Sequence, residues 1–267
     1  MLPQSNAMGA NKSRLRPCTT ILITGASGAL GRAIALQLAA PGVLLNLWGR
    51  DAIRLAETAA AATEQGASVR ETLFDLEDAK GAAARLIEED QISGFDEAYL
   101  VAGIGETRAI GDRVESPDLV ARTVLINFAA PAAMASAMAN RMTGRHSGRI
   151  VLIGSAAGHH SLPFANAYSG SKAGLARFSD ALRLAVKPHG VSVTLAAPGF
   201  LDTPNPRQQP VDARLLLSVD EAARRIVRAG AKGVPTYVTP WTFRFLQGLD
   251  AVLPRRLRDA FIARLER

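Results

Sequence analysis

Residues 19–40 read TTILITGASGALGRAIALQLAA. Thr19 to Thr24 is a short β-branched run, the pattern of a strand buried on both faces of a parallel sheet. Gly25, Gly28 and Gly31 follow it, and an apolar-periodic helix is expected from Arg32 to Ala40. A strand, a glycine-rich turn and a helix N-terminus together make an anion site, because backbone N–H groups and the positive end of the helix dipole converge there. Glycine permits the tight turn, the close approach of a phosphate group and close packing of helix on strand. Alone, such a turn is also an ordinary tight connection between a strand and a helix. Its context decides between the two.

That context is a regular alternation. Further strands are expected at Val43–Trp48, Ser68–Phe74, Glu97–Val101, Arg149–Gly154, Val191–Ala197 and Pro235–Val238. Helices are expected at Ala52–Gln65, Ala79–Gln91, Pro117–Met142, Asn166 to about His189, and Val219–Ala231. Strands alternating with helices predict an α/β fold: a doubly wound, Rossmann-like parallel sheet of about seven strands with helices on both faces. A chain of 267 residues is ample for one such domain and short for two. Residues 18–267 are therefore expected to form a single domain, with polar residues 1–17 as a disordered leader.

Composition narrows the classes. Hydrophobic residues make up 48% of the chain, which excludes a disordered protein. The longest apolar run, Val124 to Ala139, is broken by Asn127, Pro131 and Ser136 and falls short of the ~18 residues a transmembrane segment needs. No secretory signal pattern opens the sequence. Cys18 is the only cysteine, so no internal disulfide can form, which suits a reducing, cytoplasmic setting. No metal site is expected. Net charge is +7, but Lys12, Arg14, Arg16 and the cluster Arg255, Arg256, Arg258, Arg264 and Arg267 place most of it in the tails. The body lacks the basic stripe of a nucleic-acid surface, so no nucleic-acid partner is expected. Residues 241–267 form an amphipathic basic segment. Packing on the body is its plainest reading; a subunit contact and a peripheral membrane contact stay open.

The chemistry points to Ser155–Lys172, SAAGHHSLPFANAYSGSK. A strand precedes it and a helix starts within it. On a helix, positions i and i+4 stand on one face, so Tyr168 and Lys172 point into one site. Ser155 faces them from the strand end. A phenol titrates near ~10, and a nearby ammonium lowers that value. Such a tyrosine can exchange a proton with a carbinol or carbonyl oxygen. By itself Y-x-x-x-K is a common pattern; the serine at this spacing and the glycine turn upstream raise it.

Together, YSGSK, Ser155 and the glycine turn resemble the short-chain dehydrogenase/reductase family, over about Thr20 to Val238. The turn reads TGxxGxxG where single-domain members usually read TGxxxGxG, with Ala29 in place of the usual glycine. That spacing is similar to the extended branch, which holds sugar-nucleotide epimerases and dehydratases. Only about seventy residues follow Pro198, too few for that branch's second domain.

The resemblance implies dinucleotide binding by Gly25, Ser27, Gly28, Leu30 and Gly31. Arg50, after Trp48-Gly49, resembles the NADP-preferring pattern, with its guanidinium on the 2′-phosphate; an acid there would favour NAD(H), which remains the alternative cofactor. Arg50 could equally be a solvated turn residue beside a helix cap at Asp51. Asp75 and Leu76 would flank the adenine, Asp75 being also a candidate cap. Ala102 and Gly103 stand where relatives read N-N-A-G. Pro198, Gly199 and Thr203 match P-G-x-x-x-T over the nicotinamide.

In catalysis, Tyr168 would be the general acid/base in hydride transfer between NADP(H) and a carbonyl or secondary alcohol. Lys172 would lower its pKa and bind the nicotinamide ribose, and Ser155 would bond the substrate oxygen. Asn127 would seat a relay water, unless it simply bonds to backbone. His160, Leu162 and Phe200 would line the substrate pocket under a lid at 204–217. The helices carrying Asn127 and Tyr168 would pair with their copies in a homodimer or homotetramer. Two rival functions are an epimerase or dehydratase and a non-enzymatic NADP-binding sensor; the intact Ser155, Tyr168 and Lys172 disfavour the sensor.

Overall fold

The computed structural model describes residues 19–109, 111–159, 161–202 and 216–239. Its strands are β1 (Thr19–Thr24), β2 (Val43–Gly49), β3 (Ser68–Leu73), β4 (Glu97–Leu100), β5 (Gly148–Ile153), β6 (Val191–Pro198) and β7 (Thr236–Thr239). They form one seven-stranded sheet in the order β3-β2-β1-β4-β5-β6-β7, and every pairing is parallel. The helices are α1 (Ala29–Leu38), α2 (Ala52–Glu64), α3 (Ala79–Ser93), α4 (Pro117–Val124), α5 (Ala130–Arg145), α6 (Asn166–Val186) and α7 (Val219–Ala231). This is the doubly wound α/β sheet that the alternation predicts.

Strand side chains alternate between faces, so each strand feeds two cores. Ile21, Ile23, Leu45 and Leu47 pack with Ile34 of α1, Leu55 of α2 and Ile226 of α7. Leu22, Trp48 and Leu100 pack on the opposite side with Leu86 of α3, Met134 and Met138 of α5, and Leu175 of α6. Each such side chain contributes roughly 1.5–3 kcal/mol on burial, which explains why the central strands read as continuous apolar runs. β3, at the sheet edge, is half-buried at best.

Two helices differ from expectation. α1 begins at Ala29, three residues before Arg32, because Gly28 is its extended N-cap (φ −93°, ψ 160°). The helix expected over Pro117–Met142 is interrupted by a π-turn at Leu125–Ala129 and then runs on to Arg145. Pro131 accounts for part of this: it has no N–H to bond four residues back, to Asn127. By length and composition the run Pro117–Arg145 could cross a membrane. Here Met134, Ala135, Met138 and Met142 are fully buried in the core.

α3 and α5 are also joined by charge. Asp90 accepts the Phe95 N–H at 2.7 Å and pairs with Arg145 at 2.8 Å and with Arg141. Burial pushes its carboxyl up, but Arg145 and Arg141 together outweigh that and hold it below its ordinary value.

The leader, most of the 204–217 segment and the 241–267 segment lie outside the described residues, as do Cys18, His160 and Thr203.

Candidate active site

The sheet order reverses between β1 and β4, and in such sheets the crevice at the strand C-termini is where ligands bind. Both walls are narrow here. Gly25 has φ +70°, and a Cβ on it would stand 2.8 Å from the Ala102 Cα. A Cβ on Gly31 would stand 2.1 Å from the Gly25 carbonyl oxygen. Gly31 thus lies inside the first turn of α1, pressed on the turn it follows. The Gly28 N–H bonds the Gly25 carbonyl at 2.9 Å. These glycines keep side chains out of a cradle at a helix N-terminus, as a pyrophosphate requires.

Thr24 was not singled out by sequence reasoning. Its Oγ1 accepts the Val101 N–H at 3.0 Å and the Ala102 N–H at 3.3 Å, stitching the two walls together. The only signal for it was its place directly before Gly25.

Arg50 follows the last residue of β2 and is exposed; among the described residues no carboxylate pairs with it. Asp51 does cap α2, accepting the Arg54 N–H at 3.1 Å. Asp75 is exposed and accepts the Glu77 N–H at 3.0 Å, a local turn, while Leu76 beside it is buried. The cap of α3 is Asp78, not Asp75.

β5 ends at Ile153, and Ser155 follows it. α6 brings Tyr168 and Lys172 to the same point. Ser155 lies close enough to Tyr168 to act on its phenol, and its Oγ accepts the Ala157 N–H at 3.2 Å. Lys172 is 4% exposed and donates to the Ile153 carbonyl at 2.8 Å. A Cβ on Gly103 would lie 3.1 Å from Asn127 Oδ1 and 3.4 Å from Lys172 Nζ, so these three residues converge at the end of β4. Gly158 packs on the Lys172 backbone from the other side, leaving a Cβ only 2.9 Å from its carbonyl carbon.

The electrostatics differ from the expectation for Tyr168. Its phenol is held above the ordinary value: burial raises it, and Ser155 acts in the opposite direction without prevailing. The Lys172 ammonium lies 6.0 Å from the ring centroid, aimed at the Ile153 carbonyl. Burial pulls Lys172 itself down to about 8.

The Asn127 side chain is spent on backbone. Oδ1 accepts the Ile104 N–H and Nδ2 donates to the Ile104 carbonyl, both at 2.8 Å. Its main-chain carbonyl, which Pro131 leaves without the usual helical donor, is a further acceptor at this point. Sequence reasoning missed Pro131 in this role.

Pro198 ends β6, and Gly199 donates to the Thr239 carbonyl at 2.7 Å. Phe200 and Asp202 exchange backbone bonds with Leu217 at 2.9 and 3.0 Å, joining the two ends of the segment expected as a lid. Leu162 is half-buried and its carbonyl accepts the Ala165 N–H at 3.1 Å. Among the described residues, no cluster of His, Cys, Asp and Glu could hold a metal ion.

Comparison with known proteins gives a consistent picture. A model of the short chain dehydrogenase family matches residues 19–213. Dehydrogenase/reductase SDR family member 7B of Bos taurus is 36% identical over 190 residues, 68% of this chain and 58% of that protein. An uncharacterized oxidoreductase of Myxococcus xanthus is 31% identical over 251 residues, 92% of this chain and 97% of its own length. Among solved structures, a short-chain dehydrogenase from Sphingobium yanoikuyae in complex with NADPH matches with TM-score 0.74 and 26% identity, over 89% of this chain and 97% of that one.

Proposed function

The chain belongs to the short-chain dehydrogenase/reductase family of oxidoreductases, and from that premise we propose that it interconverts a carbonyl and a secondary alcohol, with NADP(H) preferred. The observation that carries this reading is the convergence of Ser155, Tyr168 and a buried Lys172, whose ammonium lies 6.0 Å from the Tyr168 ring. Those two hydroxyls meet where a substrate oxygen would enter.

A nicotinamide held under Pro198 and Gly199 would supply the hydride for reduction of the carbonyl carbon. Tyr168 gives its phenolic proton to the oxygen, and Ser155 donates a hydrogen bond that stabilises the charge developing there. In oxidation Tyr168 takes the proton back. The raised phenol stays protonated at neutral pH, which suits an acid. Lys172, titrating at about 8, is mostly charged at pH 7 and opposes the charge left on Tyr168. Its placement beside Gly103 suits a second task, bonding the ribose hydroxyls.

Gly25, Ser27, Gly28, Leu30 and Gly31 would hold the pyrophosphate, Asp75 and Leu76 would flank the adenine, and Ala102 and Gly103 would let the cofactor pass close to the backbone. Pro198, Gly199 and Thr203 would cover the nicotinamide. Preference for NADP rests on Arg50, exposed and without a carboxylate partner among the described residues. The NADPH held by the Sphingobium relative supports it. The substrate would be a small carbonyl or alcohol, with His160, Leu162 and Phe200 the residues expected to line its pocket. The enzyme works as a homo-oligomer.

A panel of ketones, aldehydes and secondary alcohols, followed through NADPH or NADP turnover, tests this function. Tyr168→Phe should bind NADPH normally and lose at least ~10²-fold in turnover. Turnover within a few-fold of wild type would remove Tyr168 from the chemistry.

A further inference from the structure

α6 carries both Tyr168 and Lys172, so its first turn decides where the phenol lies. A helix leaves its first N–H groups without internal partners, and a Ser, Thr, Asp or Asn at the N-cap usually accepts from one of them. α2, α4 and α7 are built that way, through Asp51, Ser116 and Ser218. α6 is not. Its N-cap is Ala165, 2% exposed, and no side chain at that position bonds the helix.

The acceptor comes from far away in sequence. Glu115 Oε2 accepts the Ala167 N–H at 2.8 Å, across 52 residues. Ala167 is the immediate neighbour of Tyr168. Glu115 also stands directly before Ser116, the cap of α4. It therefore ties the end of the connection from β4 to the start of the helix bearing Tyr168 and Lys172. The Arg108 N–H reaches the Phe164 carbonyl at 3.3 Å and joins the same two segments.

The choice of residue carries the argument further. Glu115 is 6% exposed, and its second oxygen, Oε1, has no hydrogen-bond partner among the described residues. Burying a carboxylate with an idle oxygen is unfavourable. The α6 dipole offsets part of this. A serine or aspartate at 165 would cap the helix without that burden. What Glu115 adds over a local cap is a fixed distance between α6 and the β4 connection, which holds Gly103 and Ile104 next to Lys172 and Asn127.

We propose that Glu115 is a positioning residue for the reaction: it holds the first turn of α6, and through it Tyr168, in register with Ser155. The proposal rests on the reading of Tyr168 as the proton donor. Glu115→Ala removes the acceptor and leaves the Ala167 N–H buried and unpaired. Glu115→Met does the same while filling the volume, should the alanine variant fail to fold. Glu115→Gln keeps an acceptor oxygen. Ser116→Ala removes the neighbouring cap of α4 and serves as the purely structural comparator.

All are measured beside Tyr168→Phe, using NADPH titration, thermal melting, and kcat and KM on the best ketone of the panel. The acceptor-free variants should lose tenfold or more in kcat with KM and NADPH affinity within about twofold. Glu115→Gln should keep kcat within threefold of wild type, and Ser116→Ala should lower the melting temperature with kcat unchanged. The proposal is overturned if the acceptor-free variants keep wild-type kcat while Tyr168→Phe is inactive. It is also overturned if Glu115→Gln is as slow as the acceptor-free variants, or if Ser116→Ala reproduces their loss. An active Tyr168→Phe would instead overturn the reading on which the proposal stands.

Discussion

At residue scale, the proposed preference between two dinucleotides that differ by one phosphate rests on Arg50. A charge-assisted contact between a guanidinium and the 2′-phosphate contributes ~1.5–3 kcal/mol, roughly ten- to a hundred-fold in affinity. NAD presents a neutral hydroxyl and gains nothing from it. Arg50→Ala should therefore weaken NADP by about that factor and leave NAD unchanged in calorimetric titration. Equal weakening of both would make Arg50 a turn residue. The position before it is tight for the acid that would favour NAD. A Cβ on Gly49 would meet Ser27 Oγ at 2.7 Å and Ser27 Cβ at 3.0 Å. An aspartate there requires the Ser27 side chain, part of the glycine turn, to turn aside, whereas a change at the exposed Arg50 displaces nothing.

At the scale of elements, α3 and α5 depend on the Asp90 clamp. Asp90 has no exposed side-chain surface, while Arg141 and Arg145 are 29% and 37% exposed. Breaking a buried pair costs about 3–5 kcal/mol, and partial exposure of the arginines puts this one near about 3. Asp90→Asn should lower stability by that amount at pH 7 in urea unfolding. Because the folded carboxyl sits below its ordinary value, the clamp's contribution is present above about pH 4. It is lost as pH falls through the lower folded value. The variant should therefore show a flatter acid limb, and an unchanged urea midpoint at pH 7 would count against the clamp. The elements themselves were legible where pattern and cap coincide: Ser218 and the amphipathic run after it define α7 from Val219 to Ala231 as expected. They were not legible where a residue serves two structures. Gly28 closes the phosphate turn and also caps α1, and the apolar run through Asn127 hides a π-turn. At the site, the i, i+4 pairing of Tyr168 and Lys172 was readable from spacing. Burial is a tertiary quantity, and it set both pKa directions. The bond from Glu115 to Ala167 left no local trace.

At the scale of the molecule, an apolar patch is exposed beside α4. Val114 is 65% exposed, and Val120, Val124 and Leu125 are 37%, 38% and 38% exposed. Val114, Val120 and Val124 line a cleft of about 390 Å³ whose other wall is α6, at Ala167 and Gly170. Small residues there permit close approach of a second helix, and a two-fold dimer would bury both copies of the patch at once. Light scattering at micromolar concentration should give a dimer or tetramer, and Val120→Glu with Val124→Glu should give a smaller species. A wild-type monomer would contradict this. The strand order has a further consequence, for how the chain is made. β1 lies mid-sheet, yet its partner β4 begins only at Glu97. During synthesis β1, β2 and β3 can close with α1 and α2 while one side of β1 waits without its neighbour. Such distant parallel pairings form slowly, and an unpaired apolar strand edge recruits other chains. The seam between β1 and β4 thus spans the longest stretch of chain between paired strands of the sheet, and it is the point most open to aggregation while that stretch is made. The same seam becomes the floor of the dinucleotide crevice, so the nascent chain is most vulnerable where the finished enzyme binds.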